Sequence, residues 1–474
     1  MRHEIDTYYM AGQWVAPVGG ATVVDIVNPA SEEVVGTVSL GASGDVDSAV
    51  AAACAAFPAW SQSSRETRIA LLERVMAQYK ARLADLADAV RLEIGAPAGL
   101  CHAAHAPIGL AYLQATLDAL RNFDFETAHG RSVVRHEAIG VAALITAWNW
   151  PLALIAVKVG AAIAAGCTVV LKPSEIAPLD ARIFAEIMHD AGTPPGVFNM
   201  IYGDGKTVGA RLSSHPDVDV ISITGSTRAG IDVAIAAAPT VKRVLQELGG
   251  KSPLLILDDA DIRSAVRGGV LAVMTNSGQT CVAPTRMLVP RARYDEAVAV
   301  AAATADALAI GDPANPETQL GTVANRAQFE RVRHMIALGI AEGGRVVAGG
   351  AGRPEGLEKG FFVRPTVFAD VTNDMTIARE EIFGPVLAMI PYDGDEDGIA
   401  IANDTPYGLA AYVASADVDR ARNVASRLRA GSVRINGAQL DLSMPFGGYK
   451  ASGNGRENGA WGLADYMEVK VISS

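Results

Sequence analysis

The chain has 474 residues, half of them hydrophobic and 19% charged, which excludes global disorder and provides for roughly three domains, or two large ones with interleaved segments. Forty basic against 52 acidic side chains leave a net charge of −12, which argues against a nucleic-acid groove or an anionic membrane surface as partner. Cys54, Cys101, Cys167 and Cys281 are widely spaced, with no CxxC and no nearby histidine pattern, so the expectation is a reducing, cytoplasmic setting with neither a disulfide framework nor a metal site.

Residues 1 to 45 read as short strand-like runs, such as Tyr8 to Trp14 and Thr22 to Asn28, and Met1 to Met10 is too polar for a secretory signal. Ala-rich helices follow. A capping box, Ser63 with Glu66, opens one that carries Ile69, Leu72, Val75, Met76, Tyr79, Leu83, Leu86 and Val90 at helical spacing. Another helix is expected over Pro107 to Arg121, and the alternating Gly130 to Glu137 suits an exposed strand or hairpin. Ala138 to Val157 is a run of 20 uncharged residues, long enough to span a bilayer. Gly140, Asn149 and Pro151 interrupt it and Lys158 follows, so it reads as a buried strand (Gly140 to Ala147), a turn (Trp148 to Pro151) and a helix to Ala165.

From there apolar strands alternate with helices. Thr168 to Leu171, Phe198 to Tyr202 and Val218 to Ile223 are strands, with a helix over Asp180 to Ala191. This alternation means a parallel sheet covered on both faces, with ligands gathering beyond the strands' carboxyl ends. The three strands end at Lys172-Pro173-Ser174-Glu175, Gly203-Asp204-Gly205 and Thr224-Gly225-Ser226, residue types that suit a nucleotide. A second alternating block runs from Ser252 to Asn436. It holds Leu254 to Leu257, helices near Tyr294 to Ala309 and Gln328 to Glu342, a strand-like run Phe361 to Phe368, and a helix Asp417 to Ala430 closed by Gly431. The tail Tyr466 to Ile472 alternates as an edge strand would.

Gly205-Lys206-Thr207 and Gly250-Lys251-Ser252 look like P-loop endings, but Met200 and Leu245 stand where the upstream glycine is required. Gly209 comes one residue late for GxGxxG after Gly203 and Gly205, and no strand-end acid follows at the usual distance, so an ordinary dinucleotide fingerprint is absent. Three other residues carry chemistry. Glu247 sits between Leu245 and Leu248 ahead of two glycines, an odd place for a surface charge. Asn149, flanked by Trp148 and Trp150, is held at an aromatic turn where its amide could serve an oxyanion or cap the next helix. Cys281 lies between a helix (Ile262 to Met274) and a strand (Arg286 to Pro290), with Gly278 permitting a tight turn and Pro284 preventing helix from resuming. Such a thiol faces a cleft or packs as a small hydrophobe.

Thr146-Ala-Trp-Asn-Trp-Pro151, Leu171-Lys-Pro-Ser-Glu175, Ile223-Thr-Gly-Ser-Thr227, Gln246-Glu-Leu-Gly-Gly-Lys251, Gly278-Gln-Thr-Cys281, Glu381-Ile-Phe-Gly-Pro385 and Pro445-Phe-Gly-Gly-Tyr-Lys450 occur in one order. Together they make the chain resemble the NAD(P)-dependent aldehyde dehydrogenase superfamily, from Trp14 to the C-terminal strand. The resemblance implies an α/β fold of two Rossmann-like parallel-sheet domains plus a small β oligomerisation element. Residues 1–119 and 139–249 would form the NAD-binding domain, 250–464 the catalytic domain, and 120–138 with 465–474 the oligomerisation element.

By the same resemblance Cys281 is the nucleophile, Glu247 the general base and Asn149 an oxyanion donor, with Lys158 and Glu457 as a proton-relay pair. NAD would be held by Lys172, Ser174 and Glu175 at the adenosine ribose, by Gly225 and Ser226 at the pyrophosphate, and by Glu381 and Phe383 at the nicotinamide end. Thr146, Ala147, Trp148, Gly205, Gly209, Thr224 and Leu248 complete the expected cofactor contacts. Leu154 and Val157 would line the substrate tunnel, with the small side chains of Thr280 and Val282 flanking the thiol. Glu175 favours NAD over NADP, since a carboxylate near the 2′ position repels a phosphate. Glu247 favours hydrolysis of a thioester over transfer to coenzyme A.

The loop Gly437 to Met444 offers no obvious anchor for a carboxylate or quaternary ammonium, so an apolar aliphatic or aromatic aldehyde is expected, with a semialdehyde or betaine-type aldehyde as the alternative. A cysteine hydrolase is a poorer reading, because no histidine lies in a comparable motif; His215 and His334 read as loop and helix surface. A non-catalytic NAD-binding protein would not need Cys281, Glu247 and Asn149 together. The open edge of the tail strand leads to the expectation of a homodimer or homotetramer.

Overall fold

Five-residue apolar strands separated by helices can bury both faces only in a parallel sheet, and this is what the computed structural model, which describes residues 2–473, contains. Val141–Ile145, Thr168–Lys172 and Val220–Thr224 are buried almost throughout and pair in parallel. With Phe198–Met200 and Arg243–Glu247 they form the parallel centre of an 8-stranded sheet. An antiparallel hairpin, Tyr8–Met10 with Gln13–Val15, closes one edge, and the two-residue strand Gly453–Asn454 closes the other against Glu247. The strand order reverses between Val141–Ile145 and Val220–Thr224, so a crevice opens beyond their carboxyl ends.

A second, 7-stranded sheet is built from strands between Pro253 and Ile435, parallel except for the edge strand Arg345–Ala348. The helix Ile262–Met274 packs on it, capped by the Asp261 carboxylate, which accepts from Arg263 N and Ser264 N at 3.2 Å each. A 3-stranded sheet joins the hairpin Glu126–His129 and Ser132–Ala138 to the C-terminal strand Met467–Ser473, and another near the N-terminus contains Thr22–Asn28. Met1 and Ser474, the ends of the expected domain division, lie outside the described residues. Among the described residues no helix is long and apolar enough to cross a membrane. The uncharged run from 138 to 157 is instead the strand Val141–Ile145 and most of the first half of the helix Pro151–Ala165.

Several local expectations are corrected. The helix expected from Ser63 is capped by Ser64, whose hydroxyl accepts from Thr67 N at 3.2 Å, while the Ser63 hydroxyl donates to Trp60 O at 2.6 Å. It also breaks at Arg82 into Arg65–Ala81 and Leu83–Ile94. No proline or glycine marks that break, so hydrophobic spacing alone runs through it. Of the run 361–368 only the end is strand, Thr366–Ala369. The helix expected to close at Gly431 ends earlier, Val418–Arg427, with Leu428 as its cap.

Candidate active site

The turn that carries Cys281 is held in place from several sides. After the helix Ile262–Met274, Asn276 and Ser277 take left-handed conformations (φ 54° for each) and Gly278 follows at φ 73°. A Cβ on Gly278 would stand 2.0 Å from Gly384 O, so only glycine fits there. Asn276 Nδ2 donates to Asn149 O at 2.8 Å, and Gln279 Oε1 accepts from Ala324 N at 2.9 Å. Trp150 Nε1 donates to Thr280 Oγ1 at 2.9 Å and Tyr412 OH to Val282 O at 2.8 Å. Gly250 lies so close that a Cβ on it would come within 2.5 Å of Cys281 O. Cys281, half-buried, lines a cavity of about 740 Å³. Burial, reinforced by the Glu381 and Glu247 carboxylates, pushes its thiol up to about 12, so a base must take its proton before it can attack.

Glu247 and Asn149 line the same cavity. Glu247 ends the strand Arg243–Glu247, is 6% exposed, and neither of its carboxyl oxygens has a hydrogen-bond partner. Burial raises it well above the usual carboxylate range, the nearby Glu457 adds to this, and Lys158 and Arg456 oppose it. Lys158, wholly inside the fold, donates to Ser222 Oγ at 2.9 Å and to Glu457 Oε1 at 2.5 Å. Asn149 Nδ2 donates to Gln279 O at 3.0 Å, which leaves its second N–H for something in the cavity. One histidine, His105, packs against this region. It is buried, stacked on Trp150 at 4.0 Å between centroids and bonded to Asn276 Oδ1 at 3.3 Å, and it does not line the cavity. His334 is exposed as expected, but His215 is 5% exposed and so is not surface.

The remaining expected residues divide into three groups. Ala147, Trp148, Thr224, Gly225, Ser226, Leu248, Glu381 and Phe383 line the cavity with Cys281, as do Leu154, Val157, Thr280, Val282 and Glu457. Lys172, Ser174, Glu175, Gly205 and Gly209 do not; they cluster beyond the two neighbouring strand ends, where Lys172 Nζ donates to Gly203 O at 2.7 Å and to Glu175 Oε2 at 3.3 Å. Thr146 and Lys158 stand behind the cavity wall, Thr146 with a buried hydroxyl that has no partner.

The cavity wall fits an elongated anionic cofactor. Ser226 caps the helix Thr227–Ala237 by accepting from Ala229 N at 3.2 Å, so that helix's amino end faces the cavity. A Cβ on Gly225 would meet nothing closer than 3.7 Å, and one on Gly205 nothing within 4 Å, so protein packing does not demand glycine at either place. Glu381 Oε1 accepts from Gly250 N at 2.9 Å, and burial raises this carboxyl to about 7. Phe383, at φ 60°, meets Trp148 edge-on at 5.5 Å.

Other cavity residues had no signal in the sequence. Gln328 and Arg331, from the helix Arg326–Ala341, hold the Glu381–Phe383 turn through bonds to Phe383 O (2.6 Å) and Glu381 O (2.8 Å). Ile108, Tyr112, Arg434 and Leu440 also line the cavity, beside Phe446, Trp150 and Gly249 of the motifs quoted above.

The sequence profile of the aldehyde dehydrogenase family matches residues 14–472. The chain is 51% identical over 466 residues to a 3-succinoylsemialdehyde-pyridine dehydrogenase from a Pseudomonas species, with 98% of each chain covered. Aldehyde dehydrogenase C of Pseudomonas syringae, solved as a cysteine-to-alanine variant with NAD+ and octanal, is 52% identical and superimposes with a TM-score of 0.98 over 99% of this chain and 96% of that one. An aldehyde dehydrogenase of Mycobacterium tuberculosis in complex with NAD+ is 41% identical, with a TM-score of 0.97 over 100% and 99% of the two chains. On its fold, its cavity and these matches, the chain belongs to the aldehyde dehydrogenase family.

Proposed function

We propose that the protein oxidises an aldehyde to a carboxylic acid with NAD, and that Cys281, Glu247 and Asn149 carry the reaction. The observation that supports this most is the meeting of a thiol, a carboxylate with two partnerless oxygens and a free amide hydrogen in one cavity beside a helix amino end. Lys172, Ser174 and Glu175 would hold the adenosine ribose, Gly225 and Ser226 the pyrophosphate, and Glu381 with Phe383 the nicotinamide end. Thr146, Ala147, Trp148, Gly205, Gly209, Thr224 and Leu248 shape the rest of that groove. Glu175 disfavours a 2′-phosphate, hence NAD over NADP.

Glu247 takes the Cys281 proton directly or through a water. The thiolate then adds to the aldehyde carbon. The new oxyanion accepts from the free Asn149 N–H and from Cys281 N–H, a donor of this kind being worth about 3 kcal/mol. NAD, when bound, supplies the hydride acceptor that lets the tetrahedral adduct become a thioester. Glu247 next removes a proton from water, the hydroxide attacks the thioester carbon, and the thiolate leaves with the C–S bond's electrons. Lys158 and Glu457 pass both protons away from Glu247, the one from Cys281 before the water is activated and the one from water afterwards. Leu154, Val157, Thr280 and Val282, with Ile108 and Phe446, favour a substrate with an apolar chain or ring.

The test is NADH formation on adding aldehyde. Cys281→Ala should lose turnover by at least about 10⁴-fold while still binding NAD. No NADH from the native protein, or turnover surviving in Cys281→Ala, would sink the reading.

We also propose the domain division 1–119 with 139–249, 250–464, and 120–138 with 465–474, a cytoplasmic location, and a homodimer or homotetramer. The strand Met467–Ser473 supports assembly, since it ends its sheet with Val469 and Val471 each 62% exposed. Light scattering that finds monomer alone would contradict this.

A further inference from the structure

Three arginines border the cavity. Arg331 is tied to Glu381 O at 2.8 Å and lies 3.6 Å from Glu380, and Arg228 stands exposed on the first turn of the helix Thr227–Ala237, beside the pyrophosphate end. Arg434 differs from both. It projects from the strand Ser432–Ile435, is half-buried, and lies with its guanidinium 5.6 Å from the centre of the Tyr412 ring. Among the described residues no carboxylate lies within 4.0 Å of it and it donates no hydrogen bond, so all five of its N–H groups are without a protein acceptor.

Its position relative to the thiol is fixed through Tyr412, whose hydroxyl donates to Val282 O next to Cys281. Tyr112 lines the same cavity; burial raises its phenol, the Glu457, Cys281 and Glu247 charges add to this, and the Arg434 charge opposes it. The wall between is apolar: Ile108, Leu440 and Phe446. In the empty cavity water can solvate the guanidinium. An aldehyde that fills the cavity displaces that water, and a plain hydrocarbon chain would leave the N–H groups unpaired at a cost.

We propose that Arg434 is a specificity-determining residue, donating to a second carbonyl oxygen, of a ketone or a carboxylate, that the substrate carries beyond its apolar segment. This rests on the aldehyde-oxidising reading above and narrows it. The sequence expectation concerned the loop 437–444; the candidate anchor comes from the strand just before that loop.

The experiment compares kcat/KM for hexanal, 5-oxohexanal and 6-oxohexanoate in the native protein, Arg434→Met and Arg434→Lys. The readout is each oxo-substrate's ratio to hexanal within one protein, so a general loss of activity cancels. We expect at least one ratio to exceed unity in the native protein, to fall about tenfold or more in Arg434→Met, and to recover in part in Arg434→Lys. A fall with 5-oxohexanal identifies a ketone acceptor, and one confined to 6-oxohexanoate a carboxylate. Should Arg434→Met fail to fold, Arg434→Gln takes its place. Ratios equal in native and variant proteins, with hexanal still oxidised, overturn this inference alone. Absence of NADH from all three aldehydes with the native protein overturns the aldehyde reading and this inference with it.

Discussion

Glu93 with Asp180, and Glu247, are buried carboxyl groups at two places in the 8-stranded-sheet half of the molecule, and burial raises all three. At one, Glu93 and Asp180 are 1% and 0% exposed; burial and their mutual repulsion raise Glu93 well above the carboxylate range, and burial raises Asp180 to about 8. At the other, Glu247 is 6% exposed and also raised well above that range. What differs is the surroundings. The Glu93 carboxyl accepts from Leu179 N at 2.7 Å and Asp180 N at 3.2 Å, tying down the start of the helix Pro178–Asp190, while both Asp180 carboxyl oxygens are buried without a partner and away from the cavity. Glu247 has no such partners, and its oxygens face the cavity that holds Cys281. Neither a raised carboxyl nor an unmet hydrogen-bonding need therefore marks a reactive site by itself, since Asp180 has both; what sets Glu247 apart is the open space it shares with Cys281.

The strongest way to break this comparison is to neutralise each carboxyl in turn. Glu247→Gln should lower steady-state kcat by about 10²–10⁴-fold, since the water-activating base is gone. With Glu247 gone, solvent water or hydroxide must take the Cys281 proton, so acylation slows and a slowed burst of up to one NADH per site should remain. Stability should change by no more than about 1 kcal/mol, because an amide closely replaces a protonated carboxyl. Glu93→Gln should leave kcat within a few-fold. Stopped-flow absorbance and thermal unfolding of both variants check this; comparable kcat losses in the two would erase the distinction. Asn149→Ala comes next, with an expected loss of about 10²–10³-fold in kcat for one missing oxyanion donor. A loss confined to KM would instead make Asn149 a mere tie to Gln279 O.

The distinction between the two sites was only partly legible in the sequence. Glu247 and Cys281 stood out because each sits at a strand or helix end beside glycines, where a side chain must leave the regular element. Glu93 carried no such mark, since a helical periodicity assigns it to a face without saying that Asp180 lies opposite. The same reason hid Arg434, Tyr112, Gln328 and Arg331, which reach the cavity from elements far apart in the chain. Elements with local punctuation were legible to the residue, as with Thr22–Asn28 and the Asp261-capped helix Ile262–Met274. At Ser63 the hydroxyl is taken up by Trp60 O (2.6 Å) and Arg68 Nε (3.0 Å), leaving Ser64 as the cap, and Arg82 at the break reaches Glu186 Oε2 at 3.3 Å, a partner far along the chain that no local pattern encodes.

The Glu93–Asp180 pair sharpens the comparison through stability and pH. Asp180 holds its proton to about pH 8 in the folded chain and to about 4 when unfolded, so between these values the folded form binds more protons. Stability from this source is complete below pH 4 and is lost as pH rises towards 8, at about 1.4 kcal/mol per pH unit for one proton held only by the folded form. Glu93→Gln combined with Asp180→Asn should flatten that decline, and denaturant unfolding between pH 5 and 9 reads it. An unchanged slope in the double variant would assign the decline to other groups.

The smallest expected effect tests how the open site is tuned. Lys158 and Arg456 lower the Glu247 carboxyl, whereas Glu457 raises it, so the base's proton affinity reflects a balance among buried charges. Lys158→Met removes one of the two opposing cations and frees Glu457 from its 2.5 Å partner. Glu247 should then hold its proton to higher pH, because an anion that has lost a nearby cation favours its neutral form. The ascending limb of the kcat profile should move to higher pH by about one unit, costing about tenfold in kcat at pH 7 and little at pH 9. If kcat falls equally at every pH with the limb unmoved, Lys158 carries protons away from Glu247 without setting its affinity. A variant with native kcat and an unmoved limb would remove Lys158 from the reaction, leaving it a structural partner of Ser222 and Glu457.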